Sequence, residues 1–166
     1  VLDEGDRQNA RGRTFPEARV MTTRILMPVD RSPRADVVAA MVADTARGAH
    51  AAVRLLHVAP EPSAIQDAKG RVVAFADQEM ESLTAEGLDY LRTLEAHFAG
   101  IPVESVVRFG DPAAQILEEA EAFGADLIVV GTKGRSGIGR VLLGSVAERV
   151  FDRATVPVML VRPTTA

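Results

Sequence analysis

The chain has no cysteine and no tryptophan, and its aromatic residues are six phenylalanines and one tyrosine. The absence of cysteine excludes a disulfide scaffold, a thiolate metal site and a cysteine nucleophile. It also fits a reducing compartment, so a cytoplasmic location is expected. So few aromatics leave little for base-stacking platforms, and a formal charge of -4 gives no electrostatic reason to expect DNA or RNA. Long apolar runs are missing as well. The run Leu127–Val130 is far below the roughly 18 residues of a membrane-spanning helix. Neither nucleic acid nor membrane is an expected partner.

What is present is an ordinary globular balance, with 47% apolar and 25% charged residues over 166 positions. That is enough for one domain with a real core. Residues 1–20 differ from the rest: they mix Asp3, Glu4, Asp6 and Glu17 with Arg7, Arg11, Arg13 and Arg19 and show no apolar period. They lack the continuous apolar stretch of a secretory signal and are too acidic for a transit peptide. The expectation is a flexible extension over 1–20 and a single domain over 21–166, starting near Met21.

From Thr23 onward, short β-branched runs alternate with helical patterns. Strands are expected at 25–29, 52–58, 103–108, 126–130 and 156–161. The first helix should be capped by Ser32 with Pro33 in its first turn and stopped by Gly48. The segment from Ala59 to about Phe75 reads as a loop. A long helix follows, with Met80, Leu83, Gly87, Leu88, Leu91, Leu94 and Phe98 on one stripe. Asp111 and Pro112 open a third helix that Gly124 closes. A last helix carries Val146, Val150 and Phe151. Continuous apolar strands such as DLIVV and VPVMLV are those of a sheet buried on both faces. The pattern predicts an α/β fold: a doubly wound, five-stranded parallel sheet with helices on both faces.

Ligands of such sheets bind beyond the carboxyl ends of the strands. The loop after the fourth strand reads GTKGRSGIGRVLLGS. Gly131, Gly134, Gly137 and Gly139 let backbone approach a ligand closely, and successive N–H groups can form an anion-holding concavity. Lys133, Arg135 and Arg140 add positive charge, with no acid between Asp126 and Glu148. Gly144 and Ser145 open a helix whose N-terminus favours phosphate, and Ser145 with Glu148 has capping-box spacing. The competing reading is a loop that merely turns, with solvated cations. A Walker loop is absent, and the first turn, PVDRSP, has no dinucleotide-binding glycines.

Gly131, Gly134, Gly144 and Ser145 reproduce, without a gap, the Gly, two residues, Gly, nine residues, Gly-Ser/Thr pattern of ATP-binding universal stress proteins. On these residues, together with the opening ILMPVDRS, the second-strand LLHV and the closing VPVMLVR, the chain resembles that family from Thr23 to Arg162. The resemblance implies a Rossmann-like fold of the adenine nucleotide alpha hydrolase kind and a stress-response, regulatory role governed by ATP. Gly131, Gly134, Gly144 and Ser145 would hold the triphosphate, and Asp30 would face the ribose or adenine. Val58 would meet adenine through its backbone. Pro28, Val29, Lys133, Arg135 and Val146 are secondary candidates for the same site. Mg2+ or Mn2+ would be held mainly by the phosphates, and a homodimer would pair through the edge strand Val156–Val161. Lys133 stands where many relatives have histidine, which removes any mechanism that needs a histidine there.

Other residues carry less. Asp30 has a competing reading as a cap of the first helix. His57, at a strand end, is either a nucleotide contact or a packed or solvated histidine. His50, His57 and His97 have no metal-ligand spacing. Glu118, Glu119 and Glu121 read as a solvated helix face. No nucleophile–base pair is visible, so at most very slow ATP hydrolysis is expected. Two rival readings stay open: an ATP-using enzyme of the related nucleotidyl-transfer fold, and a dimeric interaction module that uses no nucleotide.

Overall fold

The computed structural model describes residues 23–63, 65–66, 68–132 and 144–162. Strand β1 (Arg24–Val29) buries Ile25, Leu26 and Met27 completely or nearly so. Its entry is fixed by Asp126, whose carboxylate accepts from the Thr23 N–H at 2.8 Å and the Thr23 hydroxyl at 3.0 Å. After β1, Ser32-Pro33-Arg34-Ala35 forms a tight turn in which the Ala35 N–H donates to the Ser32 carbonyl at 3.1 Å. Arg34, at φ -95 and ψ -7, has the third-residue geometry of a type I turn, and Pro33 holds the second position that its fixed φ suits. Helix α1 (Ala35–Ala49) therefore starts after Ser32 has been used in the turn. Its N-cap is Arg34, with no capping side chain, so the expected Ser32 cap is not formed. Gly48 does not stop the helix either. The stop is His50, at φ 55, which lets the N–H of buried Ala51 return to the Ala46 carbonyl at 2.9 Å. Histidine is among the non-glycine residues that tolerate this conformation.

Strand β2 (Ala52–Ala59) follows. The expected loop beyond it contains a small antiparallel pair, β3 (Ile65–Gln66) and β4 (Val72–Ala74). Helix α2 (Ala76–Glu95) buries Gly87, Leu91 and Leu94, and Phe98 is buried in the 3-10 turn that continues it. The expected apolar stripe is shorter in fact: Met80 is exposed. Gly87 marks the closest approach to the sheet, since a Cβ there would lie 2.7 Å from Val107 Cγ2. Strand β5 (Val103–Phe109) leads to helix α3 (Pro112–Phe123), capped by the Asp111 carboxylate on the Ala114 N–H at 2.9 Å. Gly124, at φ 64, ends α3 as expected. Strand β6 (Leu127–Gly131), helix α4 (Ser145–Arg153) and strand β7 (Val158–Val161) complete the fold. β7 starts later than expected because Pro157 has no N–H to donate; only its carbonyl joins the ladder, accepting from Ile128.

The main sheet has the order β5-β2-β1-β6-β7, and every pair in it is parallel. This is the expected doubly wound architecture, with β7 at one edge. One apolar core lies under α1 and α2, around Met27, Val42, Leu55, Leu91 and Phe98. A second lies under α3 and α4, around Leu26, Leu56, Ile116, Ile128 and Val150.

Glu119 contradicts the solvated-face reading. It is 1% exposed and accepts from Arg54 Nη1 and Arg108 Nε, each at 2.6 Å. Ile116, Glu119, Ala120 and Phe123 share the buried stripe of α3, and Arg54 interrupts the apolar run of β2 on the face that α3 covers. Arg54 also donates to Glu104, and its guanidinium lies 4.1 Å from the Phe123 ring centroid. Burial works against the Arg54 charge, but the hydrogen bonds to Glu104 and Glu119 outweigh it, so its pKa lies above the ordinary value.

Candidate functional site

Sheet order reverses between β1 and β6, where the chain runs outward to β2 and β5 on one side and to β7 on the other. The two strands also part there. Pairing of β1 with β2 continues to Val29–His57, whereas pairing with β6 ends at Leu26–Ile128. Pro28, which has no N–H to offer a neighbour, lies just beyond that last pair. The gap opens into a cleft of about 930 Å³, in the range of small-molecule sites.

Most of the sequence candidates meet in this cleft. Pro28, Val29 and Asp30 line it from the end of β1, Val58 from the end of β2, and Gly131 from the end of β6. Gly144, Ser145 and Val146 line it from the start of α4. Gly134, Lys133 and Arg135, with the rest of 133–143, lie outside the described residues. The lining also includes residues that sequence reasoning did not single out, among them Val38 on α1, Ile116 on α3 and Thr132. Val38 and Ile116 carry the ordinary signal of a helix core and nothing more, so their extension into a cleft was not readable.

Backbone geometry shapes the side of the cleft between β6 and α4. A Cβ on Gly131 would lie 3.2 Å from Val38 Cγ2, so α1 packs directly against the end of β6. Thr132 is anchored to β7, its N–H and hydroxyl both reaching the Val161 carbonyl, at 2.8 and 3.2 Å. Gly144 is the N-cap of α4, and its carbonyl accepts from Glu148 N–H at 3.0 Å. Ser145 is thus the first helical residue, and the expected Ser145–Glu148 capping box is not formed. With glycine at the cap there is no side-chain oxygen to take the first-turn amides. Those amides lack intrahelical partners and carry the positive end of the helix dipole.

The opposite rim is polar. The exposed Asp30 side chain makes no hydrogen bond or salt bridge with the described residues, and it does not cap α1. Its backbone carbonyl instead accepts from the Ser32 N–H. Arg31 also lines the cleft, pairing with Glu86 at 3.7 Å and lying 5.7 Å from the Tyr90 ring centroid. His57 lines the cleft; its Nδ1 is 3.3 Å from the Val29 carbonyl and its ring stands edge-on to Tyr90. The Tyr90 hydroxyl is buried without a hydrogen-bond partner among the described residues. Burial raises its pKa, as do the charges of Asp30 and Asp36, against an opposing effect of Arg31. Among the described residues there is no group of three or more His, Asp or Glu that could hold a metal ion. No helix among the described residues is long and apolar enough to cross a membrane.

A parallel sheet with helices on both faces, and a cleft at its point of reversal bordered by a glycine-capped helix N-terminus, defines a doubly wound α/β protein with a cleft of small-molecule size. The chain belongs to the universal stress protein family, whose model matches residues 21–162. It is 30% identical over 148 residues to the universal stress protein YxiE of Bacillus subtilis, covering 86% of this chain and all of YxiE. The solved structure of MJ0577, from Methanocaldococcus jannaschii, superimposes with a TM-score of 0.70 at 26% identity, over 89% of this chain and 100% of that one. The universal stress protein from Archaeoglobus fulgidus, solved in complex with dAMP, shares the fold at 22% identity and a TM-score of 0.54, over 84% and 98% of the two chains.

Proposed function

We propose that the cleft binds ATP and that nucleotide occupancy governs a regulatory role of this universal stress protein. The observation that carries the reading is the convergence, in one cleft at the sheet reversal, of Asp30, Val58, Gly131 and the glycine-capped start of α4. The nucleoside lies at the β1–β2 side. There Asp30 accepts hydrogen bonds from ribose or adenine, and Val58 meets the base through its backbone, with Pro28 and Val29 as the floor. The phosphates lie at Gly131, Gly144, Ser145 and Val146, facing unpaired amides and a helix dipole. Gly134, Lys133 and Arg135 extend that side in sequence. The dAMP complex of a protein with the same fold is consistent with an adenine nucleotide here.

Mg2+ or Mn2+ enters with the nucleotide. Asp30 is the one carboxylate among the described lining residues, and so sparse a donor set suits an ion held chiefly by phosphate oxygens and water. No general base faces the phosphate side among the described lining residues, so hydrolysis is very slow or absent. The protein works in the cytoplasm as a homodimer. The edge strand β7, with Met159 39% exposed, offers unpaired backbone groups and apolar surface for a second copy.

Calorimetric titration tests the binding reading. The parent should bind ATP with magnesium at one site per chain, and Asp30→Ala should weaken binding while leaving the unliganded melting temperature within about 2 °C. Heat signals from ATP that are the same as buffer alone would overturn it.

A further inference from the structure

We infer that Arg34 reads the phosphate tail of the bound nucleotide and sets a preference for a nucleoside polyphosphate over a monophosphate. This rests on the ATP-binding reading above.

Arg34 lines the cleft and is half-buried. It lies one turn before Val38, whose N–H points to the Arg34 carbonyl at 3.3 Å. Residues four apart in a helical turn lie on the same face, and Val38 is the residue that packs against Gly131. Arg34 therefore sits one turn before the residue that meets Gly131, on the same side of α1 and in the lining of the same cleft. It approaches from the α1 side of the sheet, while the α4 N-terminus approaches from the α3 and α4 side.

Its guanidinium makes no hydrogen bond or salt bridge with the described residues, in contrast to its neighbours. Arg31 is committed to Glu86 and Tyr90, and Asp36 is paired with His97 at 3.0 Å. Five N–H donors are thus left unused at the rim of a cleft. Nor does α1 gain from arginine here. The residue supplies no capping oxygen, and its charge opposes the helix dipole. Locally unfavourable chemistry that faces a cleft is what a ligand-binding role leaves behind. A guanidinium matches a phosphate in two-point geometry, and Asp30, the one carboxylate among the described lining residues, is used by the nucleoside in this reading.

The test is calorimetric titration of the parent, Arg34→Gln and Arg34→Lys with ATP and with AMP, each with magnesium. Arg34→Gln should bind ATP about tenfold more weakly, the scale of one charge-assisted hydrogen bond. Its affinity for AMP should change less than about twofold. Arg34→Lys should recover part of the loss. Unliganded melting temperatures of all three should agree within about 2 °C, since the guanidinium makes no hydrogen bond or salt bridge with the described residues. If the parent binds ATP and Arg34→Gln binds it equally well, the inference falls and the ATP reading stands. Equal losses for ATP and AMP would overturn the assignment to the phosphate tail. A parent with no affinity for ATP would overturn both.

Discussion

Replacing Glu119 by Gln tests whether the buried carboxylate organises the α3 side of the sheet. The change keeps shape and removes the charge that Arg54 and Arg108 share at 2.6 Å each. Breaking a buried pair by removing one partner costs about 3–5 kcal/mol. Two features reduce that here: Arg54 keeps Glu104, and the Arg108 side chain is 48% exposed and can turn to water. The expected loss is roughly 2–3 kcal/mol. Unfolding entropy is about 2.1 cal/mol/K per residue, so the matched domain of residues 21–162 has about 0.3 kcal/mol/K. The melting temperature should then fall by roughly 7–10 °C, read by circular dichroism or calorimetry. Glu104→Gln is the control. Its carboxylate is 62% exposed, and an exposed pair contributes about 1 kcal/mol or less. Equal effects of the two substitutions, or a loss under 2 °C for Glu119→Gln, would refute the reasoning.

Two further substitutions probe the packing and the pH response. Gly87→Ala would normally favour a helix by about 1 kcal/mol, yet its Cβ would sit 2.7 Å from Val107 Cγ2 and 3.2 Å from His57 Cδ2. It should destabilise by roughly 1–3 kcal/mol in denaturant unfolding, and Val107→Ala in the same chain should recover most of that loss. Asp111 is bonded to both Arg149 Nη atoms at 2.7 and 2.8 Å, joining α3 to α4. The Arg149 hydrogen bond, and then the Ala114 N–H, hold its carboxyl below the ordinary value near 3.8. The unfolded chain then takes up the proton first as pH falls. The contribution to stability is complete above the ordinary value and is lost as pH drops through the lower folded one. Asp111→Asn keeps the cap and removes the charge. Its deficit in melting temperature should be present at pH 7 and vanish at the acid end, and a pH-independent deficit would contradict the assignment.

The five strands of the main sheet and the helices were legible because their apolar periods are clean, and the parallel order followed from their alternation, whereas the short pair β3 and β4 in the expected loop was not. The cleft was legible at the strand ends: Asp30, Val58 and Gly131 all follow or close apolar runs, and the rule for ligand sites in open sheets points to those ends, while the roles expected of them came from the family resemblance. What escaped was set by tertiary partners or by turn geometry. Ser32 looks like a cap, but Pro33 and Arg34 complete a turn that consumes its carbonyl, and the helix begins later. Gly48 looks like a stop, but the left-handed residue is His50, where the chain must turn to bury Ala51. Glu119 did carry a signal, since Ile116, Glu119, Ala120 and Phe123 have helical core spacing and Arg54 interrupts an apolar strand. A buried acid and a half-buried base, each unexplained alone, account for one another. Arg34 was opaque because its meaning lies in partners it lacks.

The central claim is that the cleft takes ATP, and thermal unfolding tests it most directly. The purified protein, free of bound nucleotide, would be heated with and without millimolar ATP and magnesium, beside Gly131→Val. At 100 times the dissociation constant a ligand stabilises by about 2.7 kcal/mol, or roughly 9 °C for this domain on the entropy scale used above. The account predicts a shift of that order for the parent and none for Gly131→Val, whose side chain would press on Val38 from the end of β6. No shift for the parent would contradict it.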